Sequence, residues 1–157
     1  EEAQEKAMER LCDANVDYEW WGIVYEDAKN IGVKIEEFDL DRGSYCKGKF
    51  LQGELEVAEN ILKEHGKDCE TYKDAYVFIW SVAIAEDVFY AENADDPDIE
   101  FQEDYECPDL LEEFQHTIFE DYRIILQKDY DYLTGEEAIR ETIDANEFEF
   151  TEDGKIY

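Results

Sequence analysis

Charge sets the terms on which this chain can fold. Forty-five Asp and Glu stand against 14 Lys and Arg, a formal net charge of −31 over 157 residues. Self-repulsion of that size works against any compact state, so a fold must rest on an ample apolar core. The imbalance is also patterned. Residues 74–122 contain no Lys or Arg and sixteen acids. Solubility alone asks for a net charge of magnitude about 2–8 in a small domain. The excess points to function, and its simplest use is to meet a basic partner surface. The commonest basic surfaces belong to proteins that hold nucleic acid.

Strong acidity also characterises disordered tails, but composition excludes that class here. The chain is 44% hydrophobic and 15% aromatic, with only two Pro and eight Gly. A chain of this length buries roughly two-thirds of its unfolded surface, and a single acidic domain over residues 1–157 is expected. Cys12, Cys46, Cys69 and Cys107 are scattered, without a Cys-x-x-Cys pair. They are expected to be free thiols in a reducing compartment. No signal-peptide pattern and no apolar run near the ~20 residues of a membrane span occurs. A cytoplasmic location is therefore expected, in the host cytoplasm if a phage encodes the protein.

Apolar periodicity predicts a short helix over residues 1–13 and a second one capped by Asn15 or Asp17, with Trp20, Trp21, Ile23, Val24, Tyr25 and Ala28 as a broad apolar face. Gly32 reads as its left-handed stop. Residues 33–40 are β-like, with alternation that slips around Glu36 and Glu37. Residues 42–49, carrying Arg42, Lys47 and Lys49 without an acid, read as a loop or hairpin connection. A third helix covers about residues 51–65. A fourth, about 70–92, is apolar on all sides between Ala75 and Ala85 and is expected to be central in the fold. Residues 93–107 read as an acidic loop. Pro108 suits the first turn of a long helix with Leu111, Phe114, Ile118, Tyr122 and Ile125 as its buried stripe. Thr134 and Glu137 have capping-box form before a last short helix. Phe148 and Phe150, the turn residues Glu152, Asp153 and Gly154, then Ile156 and Tyr157 give a hairpin signal. The expected class is α+β: a mainly helical single domain with a small antiparallel sheet that includes the C-terminal hairpin.

Residues 15–32, with Trp20, Trp21 and Gly22, and residues 126–154, with Leu133, Thr134, Gly135, Glu136 and Glu137, resemble a family of small acidic proteins of phages and mobile elements. The resemblance covers about a third of the chain and implies no particular activity. In composition the chain is also similar to the DNA-mimic antirestriction and anti-CRISPR proteins, a likeness of charge rather than of motif. Together they imply a counter-defence role.

Signatures of catalysis are weak. There is no Gly-rich phosphate loop and no His-Glu-x-x-His, and the only histidines are His65 and His116. His65 and Cys69 are four apart, but Gly66 interrupts the helix between them, so a surface His and a small buried thiol are expected. An EF-hand loop starting at Asp96 would need Gly sixth and Glu twelfth, and the chain has Phe101 and Cys107 there. No enzyme activity, cofactor or dedicated metal site is expected.

The acid-only tract carries the functional weight. Thirteen acids lie in the 28 residues 86–113. As continuous helix at ~1.5 Å per residue that is about one charge per 3.2 Å, against one per ~3.4 Å on a strand of B-DNA. The candidate partner-binding residues are Asp95, Asp96, Asp98, Glu100, Glu103, Asp104, Glu106, Asp109, Glu112, Glu113 and Glu120. Tyr105, Tyr130 and Tyr132 lie beside acids and could add flat, hydrogen-bonding contacts. The basic stretch is expected to grip an acidic patch of the same fold, the alternative being contact with a partner or its bound nucleic acid. The expected function is a nucleic-acid mimic that occupies the basic channel of a defence protein such as a CRISPR effector or restriction enzyme. It would bind neither nucleic acid nor membrane directly. The alternatives are an antitoxin-like or regulatory protein that neutralises one small basic partner, and an enzyme using paired carboxylates.

Overall fold

A computed structural model describes residues 2–151 and 154–156. It is mainly helical with one small antiparallel sheet, an α+β fold. The order is α1 (Glu2–Arg10), α2 (Gly22–Asn30), β1 (Val33–Asp39), β2 (Tyr45–Phe50), α3 (Glu54–Glu64), α4 (Glu70–Glu92), α5 (Glu103–Glu106), α6 (Pro108–Leu133) and α7 (Glu136–Ala145). The described residues form two compact units, one of residues 24–123 and one of residues 2–23 with those from 124 onward. No helix among the described residues is long and apolar enough to cross a membrane.

In the larger unit, Gly32 ends α2 with φ +89°, the left-handed stop that its sequence context predicts. The chain turns directly into β1, which pairs antiparallel with β2 from Val33–Phe50 to Asp39–Tyr45. The register shifts between Ile35 and Glu37, where the alternation of the sequence slips, and the extra residue makes a β-bulge. Gly48 pairs with Ile35 beside it, and a Cβ at Gly48 would sit 1.9 Å from the Lys34 carbonyl oxygen. Much of the basic stretch, expected as a loop or hairpin connection, is the second strand of the hairpin itself: Lys47 and Lys49 lie on β2.

Val33 and Ile35 are buried, as are Val57, Ala58 and Ile61 of α3 and Ala75, Phe78 and Val82 of α4. From α6 come Leu111, Phe114, Ile118 and Tyr122, four of the five residues of the stripe expected from sequence, while the fifth, Ile125, is only half-buried. Phe78 and Phe114 stack with centroids 4.1 Å apart, and Phe50 meets Phe114 edge-on at 5.8 Å. These rings join β2, α4 and α6.

Helix α4 corrects one expectation. Its bounds are as predicted, but it is not enclosed on all sides. It buries the face holding Thr71, Ala75, Phe78 and Val82, while Val77 (62% exposed), Trp80 (56%), Ile84 (60%) and Val88 stand out as an apolar ridge. Apolar residues all round a helix show that both faces shed water readily. They do not show that the unit has elements enough to cover both.

In the smaller unit, Ala7, Ala138, Ile139 and Leu126 are buried. Asn15 is not a helix cap. It is buried, its Nδ2 donating to the Leu133 carbonyl at 2.9 Å and its Oδ1 accepting from the Thr142 hydroxyl at 2.7 Å. Helix α2 starts seven residues later, after the Trp20–Trp21 edge-on pair. Thr134 does not cap α7 either. Gly135 takes that place, and the Thr134 hydroxyl donates back to the Tyr130 carbonyl at 2.8 Å, the same oxygen that accepts the Thr134 backbone N–H at 3.0 Å.

Among the described residues the C-terminal segment makes one isolated antiparallel bridge, Phe150–Ile156, outside the β1–β2 sheet. The expected turn residues Glu152 and Asp153, and Tyr157, lie outside the described residues. β1 instead takes the strand that follows it after five connecting residues, for which loop closure costs least.

Candidate functional site

Nine of the eleven candidate acids are exposed: Asp95, Asp96, Asp98, Glu100, Asp104, Glu106, Asp109, Glu112 and Glu113. All belong to the larger unit. Residues 95–100 follow α4 as loop, residues 103–106 form the short helix α5 where only loop was expected, and Asp109, Glu112 and Glu113 lie on the first turns of α6. The loop is fastened to α4. Phe101 packs edge-on against Phe89 with centroids 5.5 Å apart, and the Phe101 backbone N–H donates to the Tyr90 hydroxyl at 3.2 Å. The Asp98 backbone N–H donates to Asp96 Oδ1 at 3.1 Å, a local turn that leaves both carboxylates outward.

Two candidates differ. Glu103 is half-buried. Glu120 is held by Arg123, whose Nε donates to both carboxylate oxygens at 2.9 Å and whose Nη2 donates at 2.6 Å. The guanidinium keeps the Glu120 carboxyl below the usual range. Glu120 therefore serves internal structure, and the Arg123 Nη1 also reaches Ser44 Oγ at 3.3 Å.

The basic stretch grips acids of its own hairpin. Lys47 Nζ lies 3.2 Å from Glu37 and Lys49 Nζ 3.9 Å from Glu36, both bonds crossing the strand pair. The Tyr45 hydroxyl donates to Glu37, which with Lys47 holds that carboxyl low. Of the tyrosines considered for contact, Tyr105 and Tyr132 are exposed, while Tyr130 packs on Trp20 with centroids 5.9 Å apart.

Two buried polar features were missed. The first corrects the expectation of a surface His65. Its Nδ1 is hydrogen-bonded to Thr71 Oγ1 at 2.7 Å, its Nε2 lies 3.3 Å from Asp27 Oδ2, and the Tyr122 hydroxyl donates to the same oxygen at 2.8 Å. His65 and Tyr122 hold the Asp27 carboxyl below its usual range. The chain has the order of a nucleophile relay, yet Thr71 is 2% exposed and out of a substrate's reach. It ties α2, the end of α3, α4 and α6 together at the edge of the core, with the Asp27 carboxylate half exposed. Cys69, expected to be buried, is exposed, and Cys107 is the buried thiol.

The second feature is Asp121. It is 8% exposed and its Oδ2 has no hydrogen-bond partner. Burial and the facing carboxylates of Asp74, Glu70 and Glu120 push its carboxyl up to about 7. The sequence does hold a signal for it. Three residues on from Ile118, Asp121 falls on the apolar face of α6 beside Tyr122. Burial, with Glu120 nearby, also pushes the Cys46 thiol up to about 11, so it stays protonated at neutral pH. Among the described residues no three His, Cys, Asp or Glu side chains converge to hold a metal ion.

Comparison with known protein families, with curated proteins and with solved structures gives no match to this chain.

Proposed function

We propose that this protein is a nucleic-acid mimic, an inhibitor that occupies the basic nucleic-acid-binding channel of a defence protein of the CRISPR-effector or restriction-enzyme type. One observation carries the reading: nine exposed carboxylates lie within a tract of the larger unit that contains no Lys or Arg from residue 74 to 122. Such a field draws basic surfaces at a distance and raises association rates. Inhibition needs no catalysis, since the mimic and nucleic acid require the same Lys and Arg of the target. The stretches that resemble phage and mobile-element proteins support a counter-defence role in the host cytoplasm.

A second reading is an antitoxin-like protein that neutralises one small basic partner. The exposed ridge of α4 favours it, because permanent complexes bury apolar faces. Capture from a bacterial lysate on the immobilised protein, at 50 and then 300 mM salt, separates the two. Large nucleic-acid-binding proteins released by short duplex DNA support the mimic, and one small basic protein retained in the presence of DNA supports the alternative.

The mimic itself should not bind DNA or RNA, since like charges repel and its lysines on β2 are already paired with Glu36 and Glu37. A gel shift below micromolar protein at physiological salt would contradict the proposal. Salt should also stabilise the fold by screening self-repulsion. The expected gain between 20 and 300 mM NaCl is on the order of 1–2 kcal/mol, or ~3–8 °C for a domain of this size. A thermal midpoint that does not move would count against a concentrated acidic face.

A further inference from the structure

The ridge of α4 is out of place on a protein of this charge. Val77, Trp80 and Ile84 recur along one side of the helix, and with Tyr76 and Val88 they run ~18 Å. Between the ridge and α6 lies a groove of about 300 Å³. Its floor is apolar, with Phe78, Leu110 and Phe114, and Asp74 and Glu113 line it from the two helices. Asp74 also faces Asp121, whose buried Oδ2 lacks a partner. The groove thus combines apolar surface with two acids at its margin, one of which, Asp74, backs onto the buried Asp121. The only basic residue of α4, Lys73, is taken up by Glu70 at 2.7 Å.

We propose that the ridge and groove form the seat of an amphipathic basic helix of a partner protein. Its apolar face lies on Val77, Trp80 and Ile84, and one of its arginines or lysines enters the groove between Asp74 and Glu113. The chemistry is complementary at each point. A helix laid in a groove anchors through apolar residues three and four apart. A long basic side chain packs its stem on apolar surface while its charged head stays with polar partners, here Asp74 and Glu113. That head also supplies the positive charge that the Asp74–Asp121 pair lacks. A second copy of this chain fits poorly, because it brings another −31 and acids to the same rim. The inference rests on the reading of a basic partner and adds that the partner is held by shape as well as charge.

The probe is a synthetic 18-residue peptide of Leu, Ala and Arg in amphipathic order, with a scrambled peptide of the same composition as its control. Fluorescence anisotropy at 150 mM salt should show the ordered peptide binding at least about tenfold more tightly. Val77→Asp with Ile84→Asp should abolish that preference, although it adds negative charge. Both positions are exposed, and circular dichroism checks that the variant is folded. Asp74→Asn or Glu113→Gln should each weaken the ordered peptide several-fold. Equal binding of the two peptides, or a preference that survives the ridge substitutions, would overturn the proposal. So would sedimentation showing a dimer that Val77→Asp with Ile84→Asp dissolves, since a second copy would then own the face. Neutralising the loop acids 95–104 leaves ridge and groove intact. Loss of peptide preference in the ridge variant alone and loss of target binding in the loop variant alone therefore report separately on this inference and on its parent reading.

Discussion

Converting Asp95, Asp96, Asp98, Glu100, Glu103 and Asp104 together to Asn or Gln should weaken binding to the basic target by about 100-fold or more. The fold should survive, because five of the six are exposed and none of them makes an ion pair among the described residues. Each single change should cost little, since rim charges act jointly and mainly on association rate. The loss should shrink as salt rises and the wild-type advantage is screened. A second set, Asp109, Glu112, Glu113 and Glu120, should behave alike with one difference. Glu120 is bound to Arg123, so removing it frees a cation and costs some stability. The control neutralises Glu1, Glu2, Glu5 and Glu9, of which Glu1 lies outside the described residues. If the control set costs as much as the loop set, the effect is one of net charge and no localised surface exists.

Asp121→Asn should stabilise the protein at pH 8 by about 2–4 kcal/mol, or ~5–15 °C, and change it little at pH 4. Asp121 has its folded-state carboxyl raised to about 7, against ~3.9 unfolded. Between those values the folded state holds the proton and the unfolded state does not, so stability falls as pH rises from about 4 to 7. Above 7 the folded protein carries a buried, unpartnered carboxylate beside Asp74. Asn removes that charge. Asp74→Asn should relieve the same repulsion, and the double variant should gain much less than the sum, as expected of two groups in one interaction. On the acid side the trend reverses. Asp27, Glu37 and Glu120 are held low, so their contribution is lost as pH drops through their lowered folded values. Wild-type stability should therefore peak at about pH 4–5, near the unfolded carboxylate values, and fall from there toward neutral. Thermal melts of both proteins from pH 4 to 8 check this, and a wild-type midpoint that is flat from pH 5 to 8 would contradict it.

What sequence made legible was local. Gly32 announces a left-handed stop, Pro108 a helix start, and the slip at Glu36 and Glu37 a bulge, because each is set by the chain within a few residues of itself. The stripe of α6 follows from one period. What failed depended on neighbours. Thr134 has a capping pattern, but its hydroxyl found the Tyr130 carbonyl first. Asn15 could cap a helix, but tertiary contacts with Leu133 and Thr142 took its amide. Phe150 and Ile156 alternate like strand residues yet form one bridge. The apolar centre of α4 could not reveal how many elements would pack on it. At the candidate site the exposed acids were visible as composition. The Asp74–Asp121 pair, 47 residues apart, was not, although the spacing from Ile118 places an acid on the core face.

The most direct measurement of the central claim is a competition. Once a target is captured, its binding to a labelled short duplex is titrated at several fixed concentrations of this protein. A mimic raises the apparent dissociation constant for DNA in proportion to its own concentration, leaves the saturated signal unchanged, and never appears in a complex with both target and DNA. A ternary complex, or a saturated signal that falls while the apparent affinity stays constant, would show that the acidic surface does not stand in for nucleic acid.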